Sequence, residues 1–203
     1  MSKKPVIVFE GIEGSGKSYH ISNVSKYLKK RNIPFIKLRE PGGSKNSEKI
    51  RKLILNNKSN FNKNTDLLLY LAARSENIKY LLRYYKKKII LLDRFSDSTI
   101  AYQHFGMGVN LNILKKINEY LLKSFKVDFT FLNTINNKNM LTRLNKRKKL
   151  NRYDKFKSEF YSKVQKGFIK IAKNKKNYMV VDSNKAIELN KKEIIKQIEK
   201  LIK

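Results

Sequence analysis

Gly11-x-x-x-x-Gly16-Lys17-Ser18 is the first spacing in the chain that could do chemistry. Fixing a glycine costs backbone entropy, so Gly11, Gly14 and Gly16 crowded around a lysine need a reason. The spacing is that of a loop that cradles phosphate. Its glycines let the backbone curl until the amides of Gly11, Ile12, Glu13, Gly14, Ser15 and Gly16 face phosphate oxygens. Lys17 supplies a mobile positive charge, and the Ser18 hydroxyl suits Mg²⁺. A helix starting here adds the positive end of its dipole. Such a pattern also arises by chance, so its context matters. It follows the apolar run Val6-Ile7-Val8-Phe9 and precedes Ser18 to Lys30, where Ile21, Val24, Ser25 and Leu28 share a helical face. A nucleotide loop is expected.

The second candidate is Asp93-Arg94, directly after Ile89-Ile90-Leu91-Leu92. A carboxylate at the tip of an apolar strand beside a phosphate loop is placed to hold Mg²⁺, directly or through water. Its alternative is a helix-capping aspartate. Arg94 has the shape to grip a phosphate with two N–H groups; its alternative is a surface ion pair.

These groups need a scaffold. Five apolar runs read as buried parallel strands: Val6–Glu10, Phe35–Arg39, Ile89–Asp93, Phe129–Asn133 and Tyr178–Asp182. Helical patterns separate them at Asp66 to Tyr85, Leu111 to Leu122, Phe156 to Ala172 and Asn190 to Lys203. This alternation predicts a three-layer α/β fold with a five-stranded parallel sheet, in one domain spanning 1–203. Ligands of such sheets sit outside the carboxyl ends of the strands. The first three ends carry the loop, Arg39-Glu40-Pro41-Gly42-Gly43, and Asp93-Arg94-Phe95. The most polar stretch, within 143–157, lies where a mobile lid is expected.

Bulk composition narrows the classes. No apolar run is long enough to span a membrane, and the short apolar start fits a strand better than a signal peptide. The chain has no cysteine, which removes disulfides and thiolate chemistry. A cytoplasmic protein is expected. The net charge of +31 suggests nucleic acid at first sight. Yet the excess is lysine spread along the whole chain, beside abundant Asn, Ile, Phe and Tyr. Those residues have A/T-rich codons, so genomic drift accounts for the charge without a specific nucleic-acid partner.

Four blocks occur in order: the phosphate loop, Arg39-Glu40-Pro41-Gly42-Gly43, Leu71-Ala72-Ala73-Arg74, and Asp93-Arg94 followed by Ser98, Ala101, Tyr102 and Gln103. Together they resemble the thymidylate kinases, P-loop nucleoside monophosphate kinases that phosphorylate dTMP with ATP. The likeness spans nearly the whole chain. It implies ATP on residues 11–18, with Mg²⁺ at Ser18 and Asp93. It implies that Glu13 meets the dTMP 3′-hydroxyl, that Arg39 and Arg94 hold its phosphate, and that Tyr70 stacks on thymine. Arg74 would donate to a thymine carbonyl. Thr99 and Gln103 would line the base or phosphate side, and Tyr102 would exclude a 2′-hydroxyl. Tyr70 and Tyr102 also read as ordinary core aromatics. A homodimer is implied.

The loop interior, Ile12-Glu13-Gly14-Ser15, holds no basic residue, so catalytic charge must come from elsewhere. By the resemblance Arg147 is the first candidate and Arg152 the second, beside Lys17 and Arg94. Lys148 and Lys149 read as a solvated run. Asn151 stands where the family tends to have an acid, which puts the lid's internal ion pairing in question. Two alternatives stay open: a kinase for another nucleoside monophosphate or deoxynucleoside, and a basic nucleic-acid-associated NTP-binding protein.

Overall fold

The computed structural model describes residues 4–203. Met1 to Lys3, the start of the stretch expected to lead into the first strand, lie outside the described residues. Strands β1 (Val6–Gly11), β2 (Phe35–Arg39), β3 (Ile89–Asp93), β4 (Phe129–Thr134) and β5 (Tyr178–Asp182) form one parallel sheet in the order β2-β3-β1-β4-β5. Each matches an expected strand to within one residue.

Alternate side chains of these strands feed two cores. Ile7, Phe9, Ile89, Leu91, Phe129 and Phe131 face Ile21, Val24 and Leu28 of α1 (Lys17–Lys30) and Ile194 and Ile198 of α8 (Ile187–Ile202). Val6, Val8, Leu38, Ile90 and Leu92 face the other way, onto Ile78 and Leu81 of α3 (Lys63–Leu82) and the rings of Phe95 and Phe125. A third cluster joins Leu132 of β4 to Met140 and Leu144 of α6 (Asn137–Asn145) and to Tyr161, Val164 and Phe168 of α7 (Ser158–Ala172). The three expected layers are present.

Among the helices not expected are α2 (Lys45–Leu55) and α6. Ser44 and Asn136 cap their first turns by accepting backbone amides. A short α4 (Ser96–Thr99) runs into a π-helical stretch, Ile100–Gly106, and α5 (Leu111–Leu122) follows. No helix among the described residues is long and apolar enough to cross a membrane.

Strands β2 and β3 lie on one side of β1, and β4 and β5 on the other. A crevice therefore opens at the carboxyl end of β1. Phe9 pairs in register with Asp93, and Arg39 with Asp93 on its other side. The three strand ends singled out in the sequence are thus level with one another.

Candidate active site

The loop between β1 and α1 is closed by contacts that only glycine permits. Gly11 has φ +137°, and a Cβ there would lie 2.2 Å from the Asn133 carbonyl oxygen of β4. Gly16, at φ +88°, caps α1 without a side chain. Lys17 turns back over this loop. Its ammonium donates to the carbonyls of Gly11 (3.0 Å) and Ile12 (2.9 Å) and to Ser15 Oγ (3.4 Å). Burial, with the nearby Arg94 charge, lowers the Lys17 ammonium to about 8 despite Asp93, Glu13 and Glu10. The Ser18 hydroxyl donates to Asp93 Oδ2 at 3.3 Å, which pairs two hard oxygen ligands beside the loop.

Arg94 is the second fixed cation. It occupies the left-handed region at φ +68°, unusual for a residue with a Cβ. Nη1 donates to the Gly11 carbonyl at 2.7 Å and Nη2 to Glu13 at 2.8 Å, with the guanidinium 5.1 Å from the Tyr102 ring centre. Tyr102 Oη donates to the other Glu13 oxygen. Burial favours the neutral Glu13 acid, but Arg94 and Lys17 outweigh it and hold the carboxyl below its ordinary range. Glu13 is therefore an ionised acceptor facing the cleft.

The cleft is lined by Glu13, Lys17, Ser18, Tyr70, Arg74, Asp93, Arg94, Thr99, Tyr102, Gln103 and Arg147, all singled out in the sequence. Arg39 and Arg152 are not among its lining residues. Arg39 turns to Glu48 on α2, at 3.2 Å, and is half exposed. Arg152 pairs with the buried Asp66 of α3, its guanidinium 5.5 Å from the Phe61 ring centre.

Arg74 is 1 % exposed and sits at the cleft floor. It donates twice to Glu40 Oε2 (2.9 and 2.7 Å), to Asn118 Oδ1 (2.7 Å) and to Thr99 Oγ1 (2.8 Å). Those bonds use four of its five N–H groups, leaving one on Nη1. Gln103 Oε1 is buried without a hydrogen-bond partner. Tyr70 stands on the cleft wall with its ring edge-on to Tyr153, at 5.9 Å.

Four residues of the site lacked a local signal. Arg51 of α2 lines the cleft and donates to the Pro41 carbonyl. Tyr153 lines it too, and its hydroxyl donates to Asp66. Arg143, at the end of α6, donates to the Gly14 and Ser183 carbonyls, each at 2.9 Å, and so straps the phosphate loop to the end of β5. Glu10 closes β1 and is 1 % exposed. Of these, Glu10 left a trace: it is the one acid in an otherwise apolar strand.

The stretch 143–157 begins inside α6 and contains a single 3-10 turn, Tyr153–Lys155. Its internal bonding is intact despite Asn151. Asp154 accepts from Arg147 Nη1 (2.6 Å) and from the Asn151 backbone amide (3.0 Å), and Asn151 Oδ1 accepts the Tyr153 amide at 2.8 Å.

A parallel sheet, a glycine loop feeding a helix, and an arginine-lined cleft over the strand ends define a P-loop phosphotransferase. The family model for thymidylate kinase matches residues 9–194. The thymidylate kinase of Thermosipho melanesiensis is 38 % identical over 198 residues, covering 97 % of this chain and 96 % of that one. That of Thermosipho africanus is 36 % identical over 184 residues, covering 90 % and 91 %. The crystal structure of thymidylate kinase from Ehrlichia chaffeensis superposes with a TM-score of 0.78 at 29 % identity, covering 97 % of this chain and 98 % of that one. The chain belongs to the thymidylate kinase family.

Proposed function

We propose that this protein transfers the γ-phosphoryl group of ATP to dTMP, giving ADP and dTDP, with the residue roles that follow. The observation that carries the reading is one cleft joining Lys17 of the phosphate loop to Arg94, Glu13, Tyr70, Arg74 and Tyr102. A phosphate oxygen of dTMP is already anionic, so it can attack without a strong base. A new O–P bond forms as the bond to the ADP oxygen breaks, and the protein's work is positioning and neutralising charge.

Lys17 would trade its loop carbonyls for the outer ATP phosphates. Arg94 would hold the dTMP phosphate, with Arg51, which lines the same cleft, as a second cation for it. The ionised Glu13 is placed to accept from the 3′-hydroxyl. Thymine would lie along Tyr70, taking the remaining Arg74 N–H on a carbonyl and giving its own N–H to Gln103 Oε1. Thr99 is occupied by Arg74 and shapes the floor. Arg147 would reach the transferring phosphoryl from the lid. Arg39 and Arg152 need new side-chain positions to act on phosphate.

Ser18 and Asp93 fit Mg²⁺ in their oxygen chemistry. No group of three His, Cys, Asp or Glu among the described residues could hold a metal alone. Ser18 and Asp93 would hold such an ion, which would supply positive charge beside the phosphate oxygens. The reading also includes a homodimer. It is supported by α3 and α5, which pack together yet leave Leu68, Ile113 and Tyr120 exposed; light scattering after size exclusion tests it. A cytoplasmic enzyme follows from its substrates, and cell fractionation tests that.

A coupled ADP-release assay over a panel of nucleoside monophosphates tests the function. Turnover should be highest with dTMP and much lower with UMP, because on this reading Tyr102 would lie against the sugar and leave a ribose 2′-hydroxyl a poor fit. Equal specificity constants for the two would overturn this pocket. Tight duplex binding at physiological salt, without dTMP turnover, would favour the nucleic-acid reading instead.

A further inference from the structure

Every helix leaves its first N–H groups without intrahelical partners. The residue at the helix start usually supplies an acceptor to the amide three positions on. In α4 that residue is Phe95, whose side chain makes no capping hydrogen bond and whose ring is buried in the core. The acceptor comes from another strand. Glu10 Oε1, at the end of β1, accepts the Phe95 amide at 2.8 Å and the Ser98 amide at 3.2 Å. The Ser98 hydroxyl donates to Glu10 Oε2. Both carboxylate oxygens are used.

This capped segment carries much of the substrate wall. Arg94, in its left-handed conformation, directly precedes the capped Phe95 amide, and Ser98 Oγ accepts from Arg94 Nη1 at 3.3 Å. Thr99, Tyr102 and Gln103 follow on the same helical run. Glu10 is not among the residues lining the cleft. It lies behind the wall, against a second cavity shared with Asp97 and Tyr178.

We infer that Glu10 is a positioning residue for the dTMP side of the site, a remote helix cap that fixes Arg94 and the run behind it without touching substrate. The inference rests on the proposed seating of dTMP along this segment. Burial, and then the Asp97 carboxylate, push the Glu10 carboxyl up to about 8, against the bonds from Ser98 and the Phe95 amide and the Arg94 charge. A neutral amide of the same shape can therefore take its place. Glutamine can accept both backbone amides through Oε1 and donate to Ser98 through Nε2.

Steady-state kinetics of Glu10→Ala and Glu10→Gln, with each substrate varied in turn, tests this, with thermal melts to establish folding. Glu10→Ala should raise KM for dTMP by about fivefold or more, the scale of a lost cap, and leave KM for ATP within about twofold. Glu10→Gln should return both to near the unmodified enzyme. Where the alanine variant does not fold, Glu10→Asp serves, since an acid withdrawn by one methylene reaches the two amides poorly; it should raise KM for dTMP selectively. A folded Ala or Asp variant with unchanged KM for dTMP overturns the inference. So does an equal rise for both substrates, or a glutamine variant as impaired as alanine. If the unmodified enzyme itself shows no dTMP turnover, the functional reading fails first and takes this inference with it.

Discussion

On the proposed reading the cleft floor and the lid segment both offer positive charge to phosphate, but they hold it differently. Lys17 rests on backbone carbonyls of its own loop, and Arg94 on Gly11 and Glu13. Those partners belong to the end of β1 and the loop that follows it. Arg147 rests on Asp154, within the lid, and its side chain remains 39 % exposed. The floor charges are fixed in advance, which is worth most where charge develops during reaction. The lid charge is anchored only within its own segment and is more open to solvent, and neighbouring lysines can partly stand in for it.

The largest expected effect falls on the floor. Lys17→Ala should lower kcat by about 10³-fold or more in a variant that still folds, because the lysine supplies charge to the loop; its buried ammonium also bonds the Gly11 and Ile12 carbonyls, so a lower melting temperature should accompany the loss. Near-normal turnover by the folded variant would erase the distinction. Arg74→Ala is next. It leaves Glu40 buried without its cation, a loss of about 3–5 kcal/mol for a broken buried pair, to be read by denaturant unfolding. Where the variant folds, dTMP affinity should fall far more than ATP affinity; equal losses would count against a role at the base.

The lid should respond more gently. Arg147→Ala should lower kcat by about tenfold, with little change in dTMP binding, as expected of a group acting mainly in the closed state. Lys148→Ala, which changes one exposed charge in a run of four, should leave kcat within about twofold. Comparing the two in one assay sharpens the contrast. If they behave alike, the lid is a charged flap, and the floor alone carries the chemistry.

Much of the floor was legible because its signals are local. Glycine spacing, an acid at a strand tip and a following arginine lie within a few residues of one another, and each strand is a continuous apolar run. The lid root was not. Helix α6 buries only Met140 and Leu144, too few apolar positions to set a period. Cap chemistry moved other boundaries: Asn62 starts α3 at Lys63 rather than Asp66. Arg143 and Glu10 acquire their meaning from partners far away in the chain: Gly14 is 129 residues from Arg143, and Ser98 is 88 from Glu10. Arg39 and Arg152 show the converse. Their motifs were legible, while carboxylates at Glu48 and Asp66 decide where they point.

Asp66, Tyr70 and Arg74 recur every four residues along α3. They meet the lid, the cleft wall and the cleft floor respectively. At 3.6 residues per turn the three form one slightly drifting stripe. The helix thus works like a camshaft: its rotational phase times three contacts together. Side chains on the stripe can be exchanged one at a time. A residue inserted between Asp66 and Arg74 would instead turn one end about 100° against the other. Lid seat and nucleotide floor would then face different directions. A change of length should therefore be tolerated only outside that interval, however well the inserted residue suits a helix.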